Sequence, residues 1–283
     1  MCQMTTVAVT GARGYIGQHT VRSLENMGAR VICIDRAWDG CSCSDSCVAA
    51  DILSDSFCPD SVFAEVPDVC LHLAWRNGFN HGHASHMMDL SAHYRFVQKM
   101  VEFGVKRIAV MGSMHEVGYW EGPVSDSTPC NPLSLYGIAK DCLRRALFIE
   151  EKQGSFTLQW LRGFYIYGDD EESQSIFGKL YRAAREGKKT FPFTSGKNKY
   201  DFLPVSELGK MIAACVMQEE VNGIINCCSG VPVSLGEQVE SFIDANALDI
   251  SLEYGVYPER EYDSPAIWGD ATKIKQIMEN AGK

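Results

Sequence analysis

Short apolar runs alternate with amphipathic stretches through the first half of the chain. Thr5 to Thr10 reads as a strand, Tyr15 to Met27 as a helix and Arg30 to Ile34 as a second strand. Asp68 to Leu73 is the next predicted strand, followed by one long helix from Ser85 to Phe103. Lys106 to Met111 is predicted as a strand, Leu135 to Gln153 as a helix and Thr157 to Arg162 as a strand. Strands apolar on both faces and separated by helices are the pattern of a parallel sheet covered on both sides. Beyond Tyr167 the alternation loosens. Gly187 to Lys199 reads as a loop, Val205 to Met217 as a helix, Gly223 to Cys228 as a strand, and a last helix starts near Thr272.

The turn after the first strand is Gly11-Ala12-Arg13-Gly14-Tyr15-Ile16-Gly17, which opens the first helix. Glycines there permit a tight turn and the close approach of a pyrophosphate, whose charge sits at the helix N-terminus. The spacing is one residue longer than the commonest fingerprint, but the strand-before, helix-after context is met. Asp35 ends the second strand, 18 residues after Gly17, where a carboxylate accepts the hydroxyls of an adenine ribose. Asp35 favours NAD by repelling a 2′-phosphate, whereas Arg36 beside it leaves NADP open. The predicted fold class is therefore α/β, a Rossmann-type doubly wound parallel sheet with a small C-terminal substrate-binding lobe. Residues 1–165 form the dinucleotide-binding core, with return elements around 199–230, and 166–198 and 231–283 mainly form the lobe.

Bulk properties narrow the function. The 283 residues carry a net charge of −10, which repels a phosphate backbone, so nucleic acid is excluded as a partner. Met1 to Thr6 lacks the basic flank and apolar stretch of a signal peptide, and no run of about 18 apolar residues occurs. The expectation is a cytoplasmic protein without a membrane span, its 12 cysteines reduced.

Tyr136 and Lys140 are four residues apart at the start of a predicted helix and share one face. A neighbouring ammonium and a positive nicotinamide favour the phenolate, which would make Tyr136 a general acid/base nearer neutrality. Ser113 ends the preceding strand, at the carboxyl edge where open α/β sheets bind ligands, and can orient a reacting oxygen towards Tyr136.

With these residues the chain resembles the extended short-chain dehydrogenase/reductase family, of the NAD-dependent epimerase/dehydratase type, over nearly its whole length. The resemblance rests on Gly11/Gly14/Gly17, Asp35, Asp51-Ile52, His72-Leu73-Ala74, Ser113, Asn131-Pro132, Tyr136 with Lys140, Leu161-Arg162-Gly163 and Tyr167-Gly168. It implies cofactor contacts from Gly11, Arg13, Gly14, Tyr15, Ile16, Gly17, Asp35, Arg36, Asp51, Ile52, Leu73, Ala74 and Lys140, and a homodimer through the helices Ser85 to Phe103 and Leu135 to Gln153. Arg260-Glu261-Tyr262-Asp263 is similar to the C-terminal signature of UDP-galactose 4-epimerases, in which the arginine pairs with the diphosphate and the aspartate binds the ribose. Where many relatives have Arg-Asp-Phe, this chain has Tyr200-Asp201-Phe202, which makes Tyr200 a candidate substrate contact and removes one phosphate-binding arginine.

Family dehydratases carry Asp-Glu directly after the hydroxyl residue; Met114 and His115 stand there instead, which argues against dehydration. In GDP-fucose synthases the position of His115 is an acid/base cysteine. An imidazole near pKa 6.5 could do that work or could simply hold the loop, with Glu116 orienting the ring or facing solvent. The implied activity is redox chemistry at C4 of a nucleotide-linked sugar, with a 4-ketoreductase favoured, a 4-epimerase the alternative and a non-catalytic sensor or partner role third. Cys41/Cys43/Cys47 fits no zinc spacing, and His81/His83/His86 lacks a carboxylate or thiol to complete a set, so no metal is expected. Trp75 and Arg76 fall beside the cofactor pyrophosphate or the sugar.

Overall fold

Residues 4–37, 47–168, 175–259 and 263–282 are described by a computed structural model of the chain. In chain order its strands and helices are β1 (Thr6–Thr10), α1 (Tyr15–Asn26), β2 (Arg30–Asp35), β3 (Cys47–Ala49), β4 (Val69–His72), α2 (Ser85–Met88), α3 (Leu90–Glu102), β5 (Arg107–Ser113), β6 (Gly122–Val124) and α4 (Leu135–Glu151). Then follow β7 (Thr157–Gly163), β8 (Tyr165–Tyr167), α5 (Ile176–Arg185), β9 (Thr190–Pro192), β10 (Lys199–Pro204), α6 (Val205–Met217), β11 (Gly223–Cys227), β12 (Pro232–Ser234), α7 (Leu235–Ala245), β13 (Ser251–Glu253), β14 (Ala266–Gly269) and α8 (Thr272–Ala281).

Seven strands form one sheet in the order β11-β7-β5-β4-β1-β2-β3, and every pairing in it is parallel. The chain starts in the middle, winds outwards to β3 and then returns to fill the other half. That reversal between β1 and β4 makes the crevice in which open α/β sheets hold ligands. The predicted apolar strands are buried on both faces because helices cover both. Phe96, Val97 and Met100 of α3 and Leu143 and Leu147 of α4 pack on one side, whereas Leu24 of α1, Leu208 and Ile212 of α6 and Ile274 and Ile277 of α8 pack on the other.

The predicted helix Ser85 to Phe103 is two helices meeting at Asp89. The Asp89 carboxylate is taken by the guanidinium of Arg76, so it caps neither helix and the chain bends there. The region beyond Tyr167, where the alternation loosens, holds more elements than expected. Ser175 caps α5 by accepting from Gly178 N at 3.2 Å, and Ser234 with Glu237 forms a reciprocal capping box at the start of α7. β9 lies inside the stretch predicted as a loop.

A second sheet runs β12-β10-β14-β6, with β8 also pairing with β10. Asp201 of β10 ties it together. Its fully buried carboxylate accepts from Ser229 N at 2.8 Å, Ser229 Oγ at 2.7 Å, Gly230 N at 2.9 Å and Gly269 N at 3.2 Å. Asp201→Ala leaves three backbone donors without that acceptor, at about 1–3 kcal/mol each. The expected outcome in a thermal melt is a fall of roughly 10 °C for a chain of this size.

Candidate active site

The phosphate loop closes on itself. Gly14 N donates to Gly11 O at 2.9 Å and Gly11 N to Ile34 O at 2.9 Å. Gly11 takes φ +68°, the left-handed region, and a Cβ there would come within 2.8 Å of the Ala74 backbone. A Cβ on Gly17 would stand 2.1 Å from Gly11 O. Gly14 is the N-cap of α1 and brings no side-chain cap, so the first amides of the helix face the crevice without a side-chain acceptor, the arrangement that receives an anion. Asp35 accepts Arg13 N at 3.1 Å and Arg36 N at 2.8 Å, which fixes its carboxylate at the end of β2. Tyr15 and Ile16 begin α1, Asp51 is exposed and Ile52 buried beside β2 and β3, and Leu73 and Ala74 extend β4 beneath the loop. These residues fit a dinucleotide: a pyrophosphate on the open helix end and a ribose diol on Asp35.

At the carboxyl edge, Ser113 ends β5 and is buried. Ser134 caps α4, accepting from Gly137 N at 3.1 Å, and Tyr136 lies in the first turn. Gly137 allows that turn to sit against the loop after β5, since a Cβ there would be 2.3 Å from His115 O. The structure thus brings Ser113, Tyr136 and Lys140 together, and Ser113 hydrogen-bonds the phenol. Burial pushes Tyr136 up to about 12, and the bond from Ser113 opposes this. Lys140 is buried and held down to about 7 by burial, with Glu116 opposing.

The expected depression of Tyr136 by Lys140 is not found in this arrangement. The ammonium lies 5.9 Å from the tyrosine ring centre, donates to Met111 O at 2.7 Å and sits 3.7 Å from the centre of the Trp75 ring. Desolvation therefore prevails over attraction at the phenol.

Glu116 neither orients His115 nor faces solvent. It is fully buried, accepting from Ser113 N at 2.6 Å and from Trp160 Nε1 at 2.9 and 3.0 Å, with Arg162 at 3.4 Å and Arg144 at 3.6 Å. Burial raises its pKa against the pull of both guanidiniums. His115 packs edge-on to His81 with ring centres 4.1 Å apart and lies 6.1 Å from the Tyr136 ring. Burial, and then His81, lower it to about 3. It is a neutral imidazole at physiological pH, so the expectation of titration near 6.5 does not hold.

The three histidines of 81–86 face different partners. His81 stacks on Tyr136 at 5.0 Å and 11°, and its carbonyl accepts Tyr136 N at 3.0 Å. His83 pairs with Ser85 Oγ at 2.9 Å. His86 accepts Trp75 Nε1 at 3.0 Å. Among the described residues no set of three His, Cys, Asp or Glu side chains could hold a metal; Cys41 and Cys43 lie outside them. Sequence reasoning missed His93 and the depth of Trp75. Both are ring residues whose contacts come from other elements: Trp75 meets α2, α3 and α4, and His93 meets His72 of β4 and Trp75.

Arg260 lies outside the described residues. Tyr200 is buried and stacks on Tyr165 with ring centres 4.1 Å apart, its hydroxyl accepting from Asn198 at 3.2 Å. Asp263 is near enough to both tyrosines to push their pKa values up further after burial. Tyr165 in turn meets His115 at 6.3 Å. Tyr165 therefore links Tyr200 and Asp263 to His115.

The family model of the NAD dependent epimerase/dehydratase family matches residues 7–228. The chain is 42% identical over 269 residues to a dTDP-6-deoxy-L-talose 4-dehydrogenase (NAD(+)) of Aggregatibacter actinomycetemcomitans, covering 93% of this chain and 98% of that one. It is 26% identical over 318 residues to a UDP-glucose 4-epimerase of Neisseria meningitidis serogroup C, covering 96% and 91%. A crystal structure of a UDP-glucose-4-epimerase from Stenotrophomonas maltophila, with bound NAD and formylated UDP-arabinopyranose, superposes with a TM-score of 0.84 at 17% identity, covering 98% and 93%. That likeness shows the fold. Among the described residues no helix is long and apolar enough to cross a membrane.

Gly17→Ala must displace Gly11 O, and with it the loop that opens α1. The expected result is at least a tenfold weaker dinucleotide affinity in calorimetric titration, a loss of about 1.4 kcal/mol.

Proposed function

This chain belongs to the NAD dependent epimerase/dehydratase family, and from that premise we propose that it interconverts the C4 alcohol and C4 ketone of a dTDP-linked 6-deoxyhexose. The observation that carries the reading is Ser113, Tyr136 and Lys140 converging at the carboxyl edge of the sheet, with Met114 and His115 where a dehydratase needs acids. The dTDP-6-deoxysugar substrate is taken from the relative at 42% identity. The 4-ketoreductase expected from sequence is the same reaction run in reverse.

Bound NAD would supply the hydride acceptor and a positive charge beside the phenol. Tyr136, as phenolate, takes the proton of the C4 hydroxyl; in the reverse direction it returns one to the alkoxide. Ser113 holds the C4 oxygen, and Lys140 reaches the nicotinamide ribose from the face it shares with Tyr136. Arg13, Tyr15, Ile16, Asp51, Ile52, Leu73 and Ala74 line the cofactor crevice, and Asp35 selects NAD over NADP. Arg260 and Asp263 take the diphosphate and ribose of the sugar nucleotide, and Tyr200 borders the sugar. The second sheet with α5 and α7 forms the substrate lobe. A homodimer through α3 and α4 would cover Ile138 and Ile149, which are 40% and 65% exposed. A cytoplasmic location accords with the free thiols of Cys70, Cys130 and Cys228.

The alternative, a 4-epimerase, draws on the 26% relative. An epimerase keeps its cofactor through each cycle, so denaturing the purified protein and quantifying NAD separates the two. Little retained NAD, with NADH formed from dTDP-6-deoxy-L-talose, is the expected result; stoichiometric NAD without net NADH formation would select the epimerase. Tyr136→Phe is expected to lower kcat by about 10²–10⁴ with folding intact, read by NADH absorbance and circular dichroism.

A further inference from the structure

Trp75 follows β4 in the place expected beside the pyrophosphate or the sugar, yet its ring lies against the catalytic helix. The Lys140 ammonium stands 3.7 Å from the ring centre, and the ring meets Tyr136 edge-on at 6.1 Å and 80°. Resting on the reading of Tyr136 and Lys140 as the catalytic pair, we propose that Trp75 is a positioning residue whose indole face holds the Lys140 ammonium and keeps it charged.

The surroundings of Lys140 leave that task to the indole. The lysine is buried, its hydrogen bond runs to Met111 O, a neutral acceptor, and no carboxylate pairs with it within 4 Å among the described residues. Glu116, in the turn after β5, acts on it only at longer range. The other titratable groups facing it are His72 of β4, His93 of α3 and Tyr136 on its own helix. Neither histidine can offset the charge, since an imidazole is neutral or cationic; burial, with Lys140 adding to the effect, holds both well below their ordinary value and so keeps them neutral. A tryptophan face within about 6 Å attracts a cation most strongly when water is excluded.

The indole is fixed from two directions. It stacks on His93 at 4.2 Å and 10°, and its Nε1 donates to His86 Nδ1 at 3.0 Å. His86 closes that arm by donating Nε2–H to Asn80 O at 2.9 Å. His93 continues inward to His72 at 2.9 Å, and His72 to Thr10 Oγ1 at 2.8 Å. Thr10 precedes the phosphate loop and also accepts Ala74 N at 3.3 Å. A continuous polar and aromatic chain thus runs from the base of the dinucleotide turn to the catalytic lysine, with Trp75 as its last member.

The test reads Lys140 directly in the cofactor-free protein. The 13Cε signal of Lys140, assigned by its loss in Lys140→Met, is titrated by NMR in the parent, Trp75→Phe and Trp75→Leu. Removing the π face in Trp75→Leu is expected to lower the midpoint by about one pH unit, a tenfold change in the ammonium-to-amine ratio. Trp75→Phe should restore most of that shift. Tryptophan carrying successive ring fluorines, incorporated biosynthetically, weakens the face with little change of shape and should lower the midpoint stepwise; it guards against misfolding of Trp75→Leu. With the sugar nucleotide, Trp75→Leu should lose about tenfold in kcat with KM within twofold. A midpoint that ignores Trp75→Leu or the fluorines, or a phenylalanine variant no better than leucine, overturns the proposal. Since the titration needs neither sugar nor turnover, a wrong substrate would leave it standing and would show only as missing NADH formation in the parent.

Discussion

A buried carboxylate, that of Glu116, holds the floor of the site. It receives the amide of Ser113 at the end of β5, the indole of Trp160 and the guanidinium of Arg162 from β7, and faces Arg144 of α4. Two strands and the helix bearing Tyr136 and Lys140 therefore meet on one charge. A buried ion pair adds little net stability compared with apolar packing, but breaking one costs about 3–5 kcal/mol because a charge is stranded. The value of Glu116 is geometric. Ser113 cannot shift along β5 without breaking a 2.6 Å bond, and α4 cannot slide without drawing Arg144 away. Asp141 holds Arg144 from the other side, at 2.5 Å, so the helix is locked in register with the strand that presents the serine.

The electrostatics of the pocket follow from the dryness that this packing creates. Burial lowers the imidazoles of His72 and His115 to about 3, pushes Tyr136 up to about 12 and brings Lys140 down to about 7. Every shift favours the neutral form. Lys140 is thus a group whose two states lie close in free energy near neutral pH, beside imidazoles that stay uncharged. Small changes around the ammonium have large effects on its state, and Trp75 is the side chain in face-on contact with it.

Much of this was legible in local spacing. The glycine turn, Asp35 at the end of β2 and the Tyr136/Lys140 pair are short-range patterns, and short-range physics decides them. Six strands of the central sheet were legible because they are rich in apolar residues, whereas the edge strand β3 is only partly buried and was not. What escaped depends on partners far along the chain. Glu116 sits in Met114-His115-Glu116, a stretch that looks exposed, and its burial comes from Trp160 and Arg162, on the neighbouring strand but more than forty residues away. The bend at Asp89 comes from Arg76, outside either helix. The start of α7 did carry a local signal, the Ser234 and Glu237 capping box, but the short strands β6, β8, β12 and β14 are each three or four residues long and gain their order from Asp201 and from one another.

The second sheet also constrains how such an enzyme can be rebuilt. Its strands come from 122–124, 165–167, 199–204, 232–234 and 266–269, interleaved with strands of the nucleotide-binding sheet at 157–163 and 223–227. No single crossover point separates the two. A chimera that exchanged only the C-terminal quarter for that of a relative would join β12 and β14 of one ancestor to β6 and β10 of another, across hydrogen bonds centred on Asp201. Substrate preference in this architecture is inherited by scattered substitution rather than by exchange of a contiguous block, and recombination between distant relatives would be purged at the seam of that sheet before any difference in the sugar pocket came under selection.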